Sequence, residues 1–278
     1  MGILGVSGQT AHVRLGQFLS RPDVREDPLR LVARRIGLTV ADRFAPRLLS
    51  RPHTFRLSNG LTMTVPLIDS VGRDLYVHGT FEWATLGAWE TAIPVGGTAI
   101  DVGAHVGTFT LTAAKKVGPA GRVIAFEPNP RTRERLERNV RQNSFLDRVT
   151  VLPYALLDHD DAMPLGSPTE NNSGMSRLGV GDVMVPCRRL DDVLAEIGCP
   201  PPDAMKIDVE GFEEAVLAGA PTVLATGPTI VMEVNGGAAV ARLSGEGYKL
   251  ETPDGHPFVD EVTHRKAGES VNVVARKV

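Results

Sequence analysis

Short apolar runs alternate with helical stretches along most of the chain. Five runs rich in β-branched and aliphatic residues lie among stretches in which apolar residues recur every three or four positions. These runs are residues 98–101, 122–126, 149–152, 204–210 and 229–234. Strands that alternate with helices are typical of an α/β fold with a mostly parallel sheet. Two further runs, 248–251 and 270–276, predict a closing pair of strands.

The first fifty residues are predicted to form a helical extension. Apolar residues recur there at near-helical spacing, and Pro22, Pro28 and Pro46 divide the stretch into short helices. We expect residues 1–52 to cap the edge of the sheet, to close over the substrate as a lid, or to form the contact of a homodimer.

A β-hairpin is predicted to lead into the main domain. Residues 53–65 alternate between apolar and polar around Asn59 and Gly60, the pair that a type I′ turn favours. We therefore expect the main domain to span residues 53–278, with the hairpin at its start.

A glycine-rich turn after the first long apolar run predicts a nucleotide site. Asp101 ends that run, Gly103 and Gly107 follow, and a helical stretch begins directly after them. Glycine adopts positive φ and lets a ligand approach the backbone. Glu127 ends the next run about 20 residues later, where an acid binds ribose hydroxyls in such sites. These residues predict a cofactor that contains a nucleoside.

The acid at the strand end separates the candidate cofactors. Dinucleotide sites carry G-x-G-x-x-G, with bare N–H groups facing a pyrophosphate. Here the turn reads D-x-G-x-x-x-G, and Asp101 would repel a pyrophosphate. A carboxylate suits the amino group or sulfonium of S-adenosylmethionine instead. A nicotinamide or flavin site, and a fold without a ligand, stay as alternatives.

Three motifs follow one another in the order of a known family. They are D-V-G-A-H-V-G at 101–107, V-I-A-F-E-P-N-P at 123–130 and M-K-I-D-V-E-G at 205–211. This set resembles the FkbM family of S-adenosylmethionine-dependent methyltransferases. The resemblance implies a Rossmann-like class I fold with a mostly parallel seven-stranded sheet whose final strand is antiparallel. His105 departs from the family, which more often carries Asn at that position.

The resemblance also implies where S-adenosylmethionine is bound. The expected cofactor-binding residues are Glu82, Asp101, Gly103, Ala104, His105, Gly107, Thr108, Phe109, Glu127, Pro128, Asn129, Tyr154, Ala155 and Leu156. Glu82 matches an acid that family members carry before the first motif, although a carboxylate at a helix start also fits the helix dipole. Residues 154–156 would flank the adenine ring.

The run 204–210 is a second candidate site, because charged residues occupy every second position from 206 to 210. Lys206, Asp208 and Glu210 would share one face of a strand, and burying them unpaired would be costly. They either form an ion-pair network with Glu233 or place Asp208 against the methyl acceptor. Asp208 is the first candidate for a catalytic base, and Lys206 completes the catalytic set. His105 is the second candidate base, because imidazole titrates near neutrality, although a hydrogen bond within its turn is the alternative.

The acceptor is expected to lie against a long loop over residues 160–180, which is rich in Pro, Gly and Asn. The expected substrate-binding residues are Asn172, Ser173, Arg177, Glu210 and Glu233. Three of the site carboxylates could bind Mg²⁺, but no spacing requires a metal and none is expected.

Composition and charge give no reason to expect nucleic acid or a membrane as a partner. The 278 residues carry a net charge of −3, which gives no electrostatic reason to expect nucleic acid or an anionic membrane. The arginines of 131–143 are interleaved with glutamates and lack aromatic residues for base stacking. Two cysteines without metal spacing, and an N-terminus without signal-peptide features, favour a cytoplasmic location.

The family resemblance and the candidate base Asp208 lead us to expect O-methylation of a hydroxyl on a small molecule, a sugar or a secondary metabolite. The alternatives are methylation of a carboxylate, an amine or an RNA base, or a protein that binds the cofactor without turnover. A small-molecule acceptor is the expected partner.

Overall fold

The computed structural model describes residues 28–166, 176–258 and 270–278. The chain divides into two compact units, Met1–Trp83 and Ala84–Val278. The hairpin lies in the first unit, whereas the sequence assigned it to the main domain; the domain boundary after residue 52 stays a prediction.

The described part of the first unit contains helices and one hairpin. Its elements are α1 (Pro28–Phe44), α2 (Pro46–Leu49), β1 (Pro52–Arg56), β2 (Thr62–Pro66) and α3 (Ser70–His78). A proline occupies the first position of α1 and of α2, where its missing N–H costs nothing. Asp69 caps α3 by accepting the N–H of Val71, and Gly79 ends that helix with a φ of 69°.

The hairpin forms with a different turn from the one predicted. Phe55 pairs with Met63, and the N–H of Gly60 donates to the carbonyl of Leu57 at 3.0 Å. Gly60 has a φ of 84°, but Asn59 is not among the residues with positive φ. A type I′ turn needs positive φ at both central positions, so that part of the prediction is wrong. The connection is longer and ends in a left-handed glycine.

The second unit contains a seven-stranded sheet and a smaller four-stranded sheet. Its strands are β3 (Thr98–Val102), β4 (Arg122–Phe126), β5 (Val149–Leu152), β6 (Ala155–Leu156), β7 (Asp161–Gly166), β8 (Arg177–Leu178), β9 (Val183–Arg188), β10 (Ala204–Ile207), β11 (Thr229–Val234), β12 (Tyr248–Glu251) and β13 (Val271–Lys277). The large sheet has the order β12-β13-β11-β10-β3-β4-β5. Strands β11 to β5 in that order are parallel, and β13 is antiparallel to both of its neighbours. This arrangement confirms the predicted fold class.

Helices accompany the strands of the large sheet. They are α4 (Trp83–Ala92), α5 (Thr108–Val117), α6 (Pro130–Gln142), α7 (Leu190–Glu196), α8 (Glu213–Ala218), α9 (Pro221–Thr226) and α10 (Gly237–Gly245). Asn129 caps α6 because its side-chain oxygen accepts the N–H groups of Arg131 and Thr132. Among the described residues, no helix combines the length and apolar character needed to cross a bilayer.

The four-stranded sheet corrects the long loop predicted over residues 160–180. Its order is β6-β9-β7-β8, with β7 antiparallel to β9 and to β8. Leu165 on β7 is buried together with Val185 and Cys187 on β9. Pro164 and Gly166 suggested a loop, but residues 161–165 pair with β9, whose side chains alternate between exposed and buried over residues 184–187. Residues 167–175 lie outside the described part of the chain.

Candidate active site

The predicted site residues of the second unit gather around the carboxyl ends of β3, β4 and β10. From β3 the chain runs outward through β4 to β5, and β10 later pairs with the other side of β3. In open α/β sheets, ligands bind where the strand order reverses, beyond the carboxyl ends of the strands. Asp101 on β3 and Lys206 on β10 are register partners there.

The turn after β3 is shaped by left-handed backbone. Gly103 has a φ of 81° and His105 a φ of 50°. The carbonyl oxygen of Phe126 accepts the N–H of Gly103 at 3.1 Å and that of Ala104 at 2.9 Å, which fastens the turn to β4. A Cβ at Gly103 would lie 1.9 Å from the carbonyl oxygen of Asp208. Only glycine fits at this position.

The end of the turn is fixed by packing against α6. Gly107 has a φ of 101°, and a Cβ there would lie 2.6 Å from a methyl carbon of Leu136. The side-chain amide of Asn139 donates to the carbonyl of Val106 at 2.9 Å. Thr108 then begins α5. The turn is therefore set by long-range contacts as well as by its glycines.

Asp101 is a fully buried carboxylate with one unused oxygen. The hydroxyl of Thr110 donates to its Oδ2 at 2.6 Å. Its Oδ1 has no hydrogen-bond partner among the residues that the structure describes. Burial raises the pKa of Asp101, and the positive charge of Lys206 acts in the opposite direction. An unsatisfied buried carboxylate oxygen favours a cation nearby.

Glu127 is held by backbone N–H groups from two segments. Its Oε2 accepts from His105 and its Oε1 from Asn129, each at 2.8 Å. Burial raises the pKa of Glu127 to about 7, although both N–H groups favour the ionised form. The carboxylate therefore has a fixed orientation at the tip of β4.

Lys206 carries a buried positive charge between the two halves of the site. Its side chain is only 3% exposed, and its ammonium lies 2.9 Å from Oδ2 of Asp208. The same ammonium lies 4.3 Å from the centre of the Phe109 ring, a cation–π distance. The indole N–H of Trp89 donates to the carbonyl of Phe109 at 3.1 Å. The ammonium of Lys206 is thus paired with Asp208 and also contacts the face of the Phe109 ring.

Asp208 joins several polar side chains of the site. Burial acts to raise its pKa, but the charge and hydrogen bond of Lys206 outweigh burial and lower that pKa below its usual value. Glu233 and, when it is protonated, the imidazole of His105 act in the same direction. The structure therefore brings Lys206, His105 and Glu233 to one carboxylate.

The alternation predicted for residues 204–210 ends early. Strand β10 stops at Ile207, and Glu210 has a φ of 52° in the turn that follows. The prediction that Glu210 shares a strand face with Lys206 is wrong, because Gly211 and its neighbours form a left-handed turn. The Lys206–Asp208 pair nevertheless forms across the end of the strand.

Glu210 lies in an acidic part of this turn. Burial raises its pKa, and the charges of Asp208 and Glu213 raise it further, while Arg177 lowers it. A Cβ at Gly211 would lie 3.6 Å from a guanidinium nitrogen of Arg177. The smaller sheet thus brings one cation, from β8, to the turn.

The match to known families follows the same stretch of chain. The model described as the methyltransferase FkbM domain matches residues 101–250, more than half of the chain. The chain belongs to the FkbM methyltransferase family. Membership makes S-adenosylmethionine the cofactor of the FkbM domain, which confirms both the resemblance and the predicted cofactor.

Curated and solved methyltransferases are similar to this chain. The chain is 31% identical over 142 residues to hexuronic acid methyltransferase AglP of Haloferax volcanii, covering 49% of this chain and 55% of that protein. It is 31% identical over 153 residues to methyltransferase sdnD of Sordaria araneosa, covering 43% and 59%. The chain spans somewhat more than half the length of these curated relatives. A solved O-methyltransferase from Bacillus cereus in complex with SAH covers 72% of this chain and 82% of that chain, with 13% identity and a TM-score of 0.43.

The remaining predicted site residues have varied surroundings. The Tyr154 ring lies 5.5 Å from the guanidinium of Arg188. Ala155 and Leu156 are buried in β6, and Leu156 packs in the main core. Pro128 lies between Glu127 and the cap of α6. Glu82 belongs to the other compact unit and has a φ of 42°. Asn172 and Ser173 lie outside the described residues.

Three polar residues of the FkbM domain were missed from the sequence. Thr110 satisfies Asp101, Asn139 holds the glycine turn, and Glu213 accepts the N–H of Gly211 at 2.9 Å. Asn139 had a sequence signal, since Asn is a poor helix former in the middle of a predicted helix. Among the described residues, no group of three or more His, Cys, Asp or Glu side chains is placed to hold a metal.

Proposed function

We propose that the protein transfers a methyl group from S-adenosylmethionine to a hydroxyl of a small molecule, a sugar or a secondary metabolite. The observation that supports this reaction is the carboxylate of Asp208 at the carboxyl end of β10, held in its ionised form by Lys206. A hydroxyl is the acceptor that an ionised carboxylate both binds and helps to deprotonate.

The residues around β3 and β4 fit the cofactor. Each oxygen of the Glu127 carboxylate accepts one N–H and retains a lone pair for a ribose hydroxyl. The unpaired Oδ1 of Asp101 adds negative potential at the turn, which suits a cationic ligand. We assign Glu127 to the ribose and Asp101 to the positively charged end of the cofactor.

The acceptor side would combine orientation with proton removal. When bound, S-adenosylmethionine supplies a methyl group on a sulfonium; transfer to a hydroxyl forms a carbon–oxygen bond, breaks a carbon–sulfur bond whose electron pair stays on sulfur, and releases the hydroxyl proton. Asp208 accepts the hydrogen bond of the hydroxyl and then its proton. Its lowered pKa makes it a weak base, so proton transfer occurs late, as the oxygen becomes acidic.

Two neighbours of Asp208 would assist this step. Lys206 keeps the carboxylate ionised and oriented through the 2.9 Å contact. His105 interacts electrostatically with Asp208 and is the second candidate base. Positioning of this kind accounts for roughly 7–11 kcal/mol of barrier lowering in well-oriented reactions. The protein therefore needs alignment more than strong acid–base chemistry.

Sugars are the first acceptors to test. One relative is named a hexuronic acid methyltransferase, and Arg177 supplies a cation at the acidic turn around Glu210. A guanidinium suits the carboxylate of an acidic sugar. Glu210 and Glu233 would accept hydrogen bonds from the other hydroxyls of such a ring.

The test uses S-adenosylmethionine with a labelled methyl group. The purified protein is incubated with neutral sugars, uronic acids and their methyl glycosides, and the labelled product is treated with alkali. An ether survives alkali and supports hydroxyl methylation. A label released by alkali would identify a methyl ester and contradict the proposal. Label transferred to total RNA or to amines, and to none of the hydroxyl compounds, would also contradict it.

A further inference from the structure

The turn after β10 is held by a carboxylate outside the predicted site. Glu213 begins α8 and is only 4% exposed. Its Oε1 accepts the N–H of Gly211 at 2.9 Å and the side-chain amide of Asn235 at 3.1 Å. A single oxygen therefore joins the turn after β10 to the residue that follows β11. We call these two hydrogen bonds the Glu213 clamp.

The turn needs such support because its backbone is unusual. Glu210 has a φ of 52° and Gly211 a φ of 100°. Left-handed backbone is uncommon for a residue with a side chain, and it persists where surrounding contacts fix it. At the other end of the turn, the N–H of Asp208 donates to the carbonyl of Val102 at 3.0 Å. The turn is thus tied to β3 at its start and to Glu213 at its end.

The Glu213 clamp also links the two acidic residues of the acceptor side. Asp208 follows β10, and Glu233 lies near the end of β11, one residue before Val234 and two before Asn235. Glu233 is also among the groups that lower the pKa of Asp208, which places the two side chains near each other. Holding Gly211 to Asn235 therefore holds the segments that carry these two side chains.

We propose that Glu213 is a positioning residue for methyl transfer, acting through the clamp on the Asp208–Gly211 turn and not on the reacting atoms. This inference rests on the proposed function of Asp208. One oxygen makes both hydrogen bonds, so a carboxamide oxygen can replace it and the negative charge is not needed. That property separates a clamp from an electrostatic role.

Four variants test the clamp. Glu213→Ala removes both hydrogen bonds, and Glu213→Gln keeps an oxygen for both. Asn235→Ala removes one bond at an exposed position, so it remains informative should Glu213→Ala fail to fold. Glu214→Ala is the matched control, because Glu214 is the next residue of α8 and pairs with Arg242 at a side-chain exposure of 42%.

Two measurements are made on each variant. Methyl transfer to the best hydroxyl acceptor gives kcat and KM, and calorimetry gives the Kd for S-adenosylmethionine. We expect Glu213→Ala to lower kcat about 10- to 100-fold, as a misplacement of about 1 Å does, with the cofactor Kd changed less than about threefold. Asn235→Ala is expected to lower kcat less, and Glu213→Gln and Glu214→Ala to stay within about threefold of the native rate.

Hydrogen exchange of the Gly211 amide is a readout independent of activity. The amide should lose protection in Glu213→Ala and keep it in Glu213→Gln and Glu214→Ala. The inference is overturned if Glu213→Ala and Asn235→Ala keep the native kcat, if Glu213→Gln loses as much kcat as Glu213→Ala, or if the Gly211 amide stays protected in Glu213→Ala. A native protein that methylates no hydroxyl would contradict the proposed function instead, and amide exchange would then decide whether the clamp exists.

Discussion

The two sides of the proposed site, the cofactor side around Asp101 and Glu127 and the acceptor side around Asp208, hold carboxylates whose pKa values shift in opposite directions. On the cofactor side, Asp101 and Glu127 have raised pKa values, because burial outweighs the groups that favour ionisation. On the acceptor side, Asp208 has a lowered pKa, because an ammonium lies 2.9 Å away. Lys206 acts on Asp101 through its charge alone, but on Asp208 through its charge and a direct hydrogen bond, and this contact accounts for the opposite pKa directions.

This difference shows how carboxylates can serve two proposed tasks, binding of the cofactor and binding of the acceptor hydroxyl. A carboxylate that is costly to ionise gains most from a ligand that brings positive charge or hydrogen-bond donors. A carboxylate already paired with lysine is ready to hold a neutral hydroxyl. Four predictions test this comparison.

The largest effect is expected in turnover from Asp208→Asn. The amide keeps the shape but cannot accept the hydroxyl proton, so we expect kcat to fall about 10²–10⁴-fold. Binding of S-adenosylmethionine should change less than about threefold, because the cofactor side is intact. Calorimetry and labelled methyl transfer measure the two effects. Native turnover in a variant that binds the cofactor normally would refute the catalytic assignment.

Removing the ammonium should strongly destabilise the fold. Lys206→Met leaves Asp101 and Asp208 without their shared positive charge. Because the Asp208 side chain is 27% exposed, we expect a loss near the lower end of the about 3–5 kcal/mol that breaking a fully buried pair costs. Urea unfolding gives the free energy of unfolding, and Lys249→Met at an exposed position is the control. A loss below about 1 kcal/mol would show that Lys206 does not hold these carboxylates together.

A side chain at position 103 should destabilise both the glycine turn after β3 and the turn that carries Asp208. Gly103→Ala places a Cβ 1.9 Å from the carbonyl oxygen of Asp208, so we expect the free energy of unfolding to fall by more than the about 1–3 kcal/mol that left-handed strain alone costs. Gly118→Ala is a useful control, since it also has positive φ but nothing lies within 4 Å of its Cβ. Equal losses in the two variants would mean that the contact with Asp208 adds nothing.

The smallest effect is a pH dependence of cofactor binding. The folded pKa of Glu127 is raised to about 7, so its contribution to stability is full below its unfolded pKa and is lost as pH rises through about 7. Ribose hydroxyls donate to the ionised form, so cofactor affinity should rise over the same window, about tenfold from pH 6 to pH 8. Calorimetry of Glu127→Gln should show no such rise. A pH dependence that persists in this variant belongs to another group.

The fold of the turn after β3, the family and the cofactor could be predicted, because the signals for them are local. Asp101, Gly103 and Glu127 lie at fixed intervals on a strand, a turn and the next strand, and backbone chemistry relates those intervals to geometry. The family and the cofactor followed from the same residues. The assignment of individual contacts to the ligand stays a prediction.

The acceptor side was less predictable, because its contacts join distant parts of the chain. The period-two pattern placed Glu210 on a strand that ends at Ile207, and no local signal revealed that Glu213 reaches Asn235. The smaller sheet was missed for a related reason. Pro164 disfavours a strand by its local sequence, and only the pairing of β7 with β9, which lies about 20 residues later, makes residues 161–166 a strand.

Because Gly103 has no side chain, the backbone of the glycine turn packs directly against the backbone of Asp208. The Asp208 carbonyl occupies the space that a methyl group would take in any other residue. If the glycine turn shifts when S-adenosylmethionine binds, the turn that carries Asp208 must therefore shift with it. We expect the enzyme to take up its two substrates in sequence, donor first, and product inhibition patterns at steady state would reveal that order.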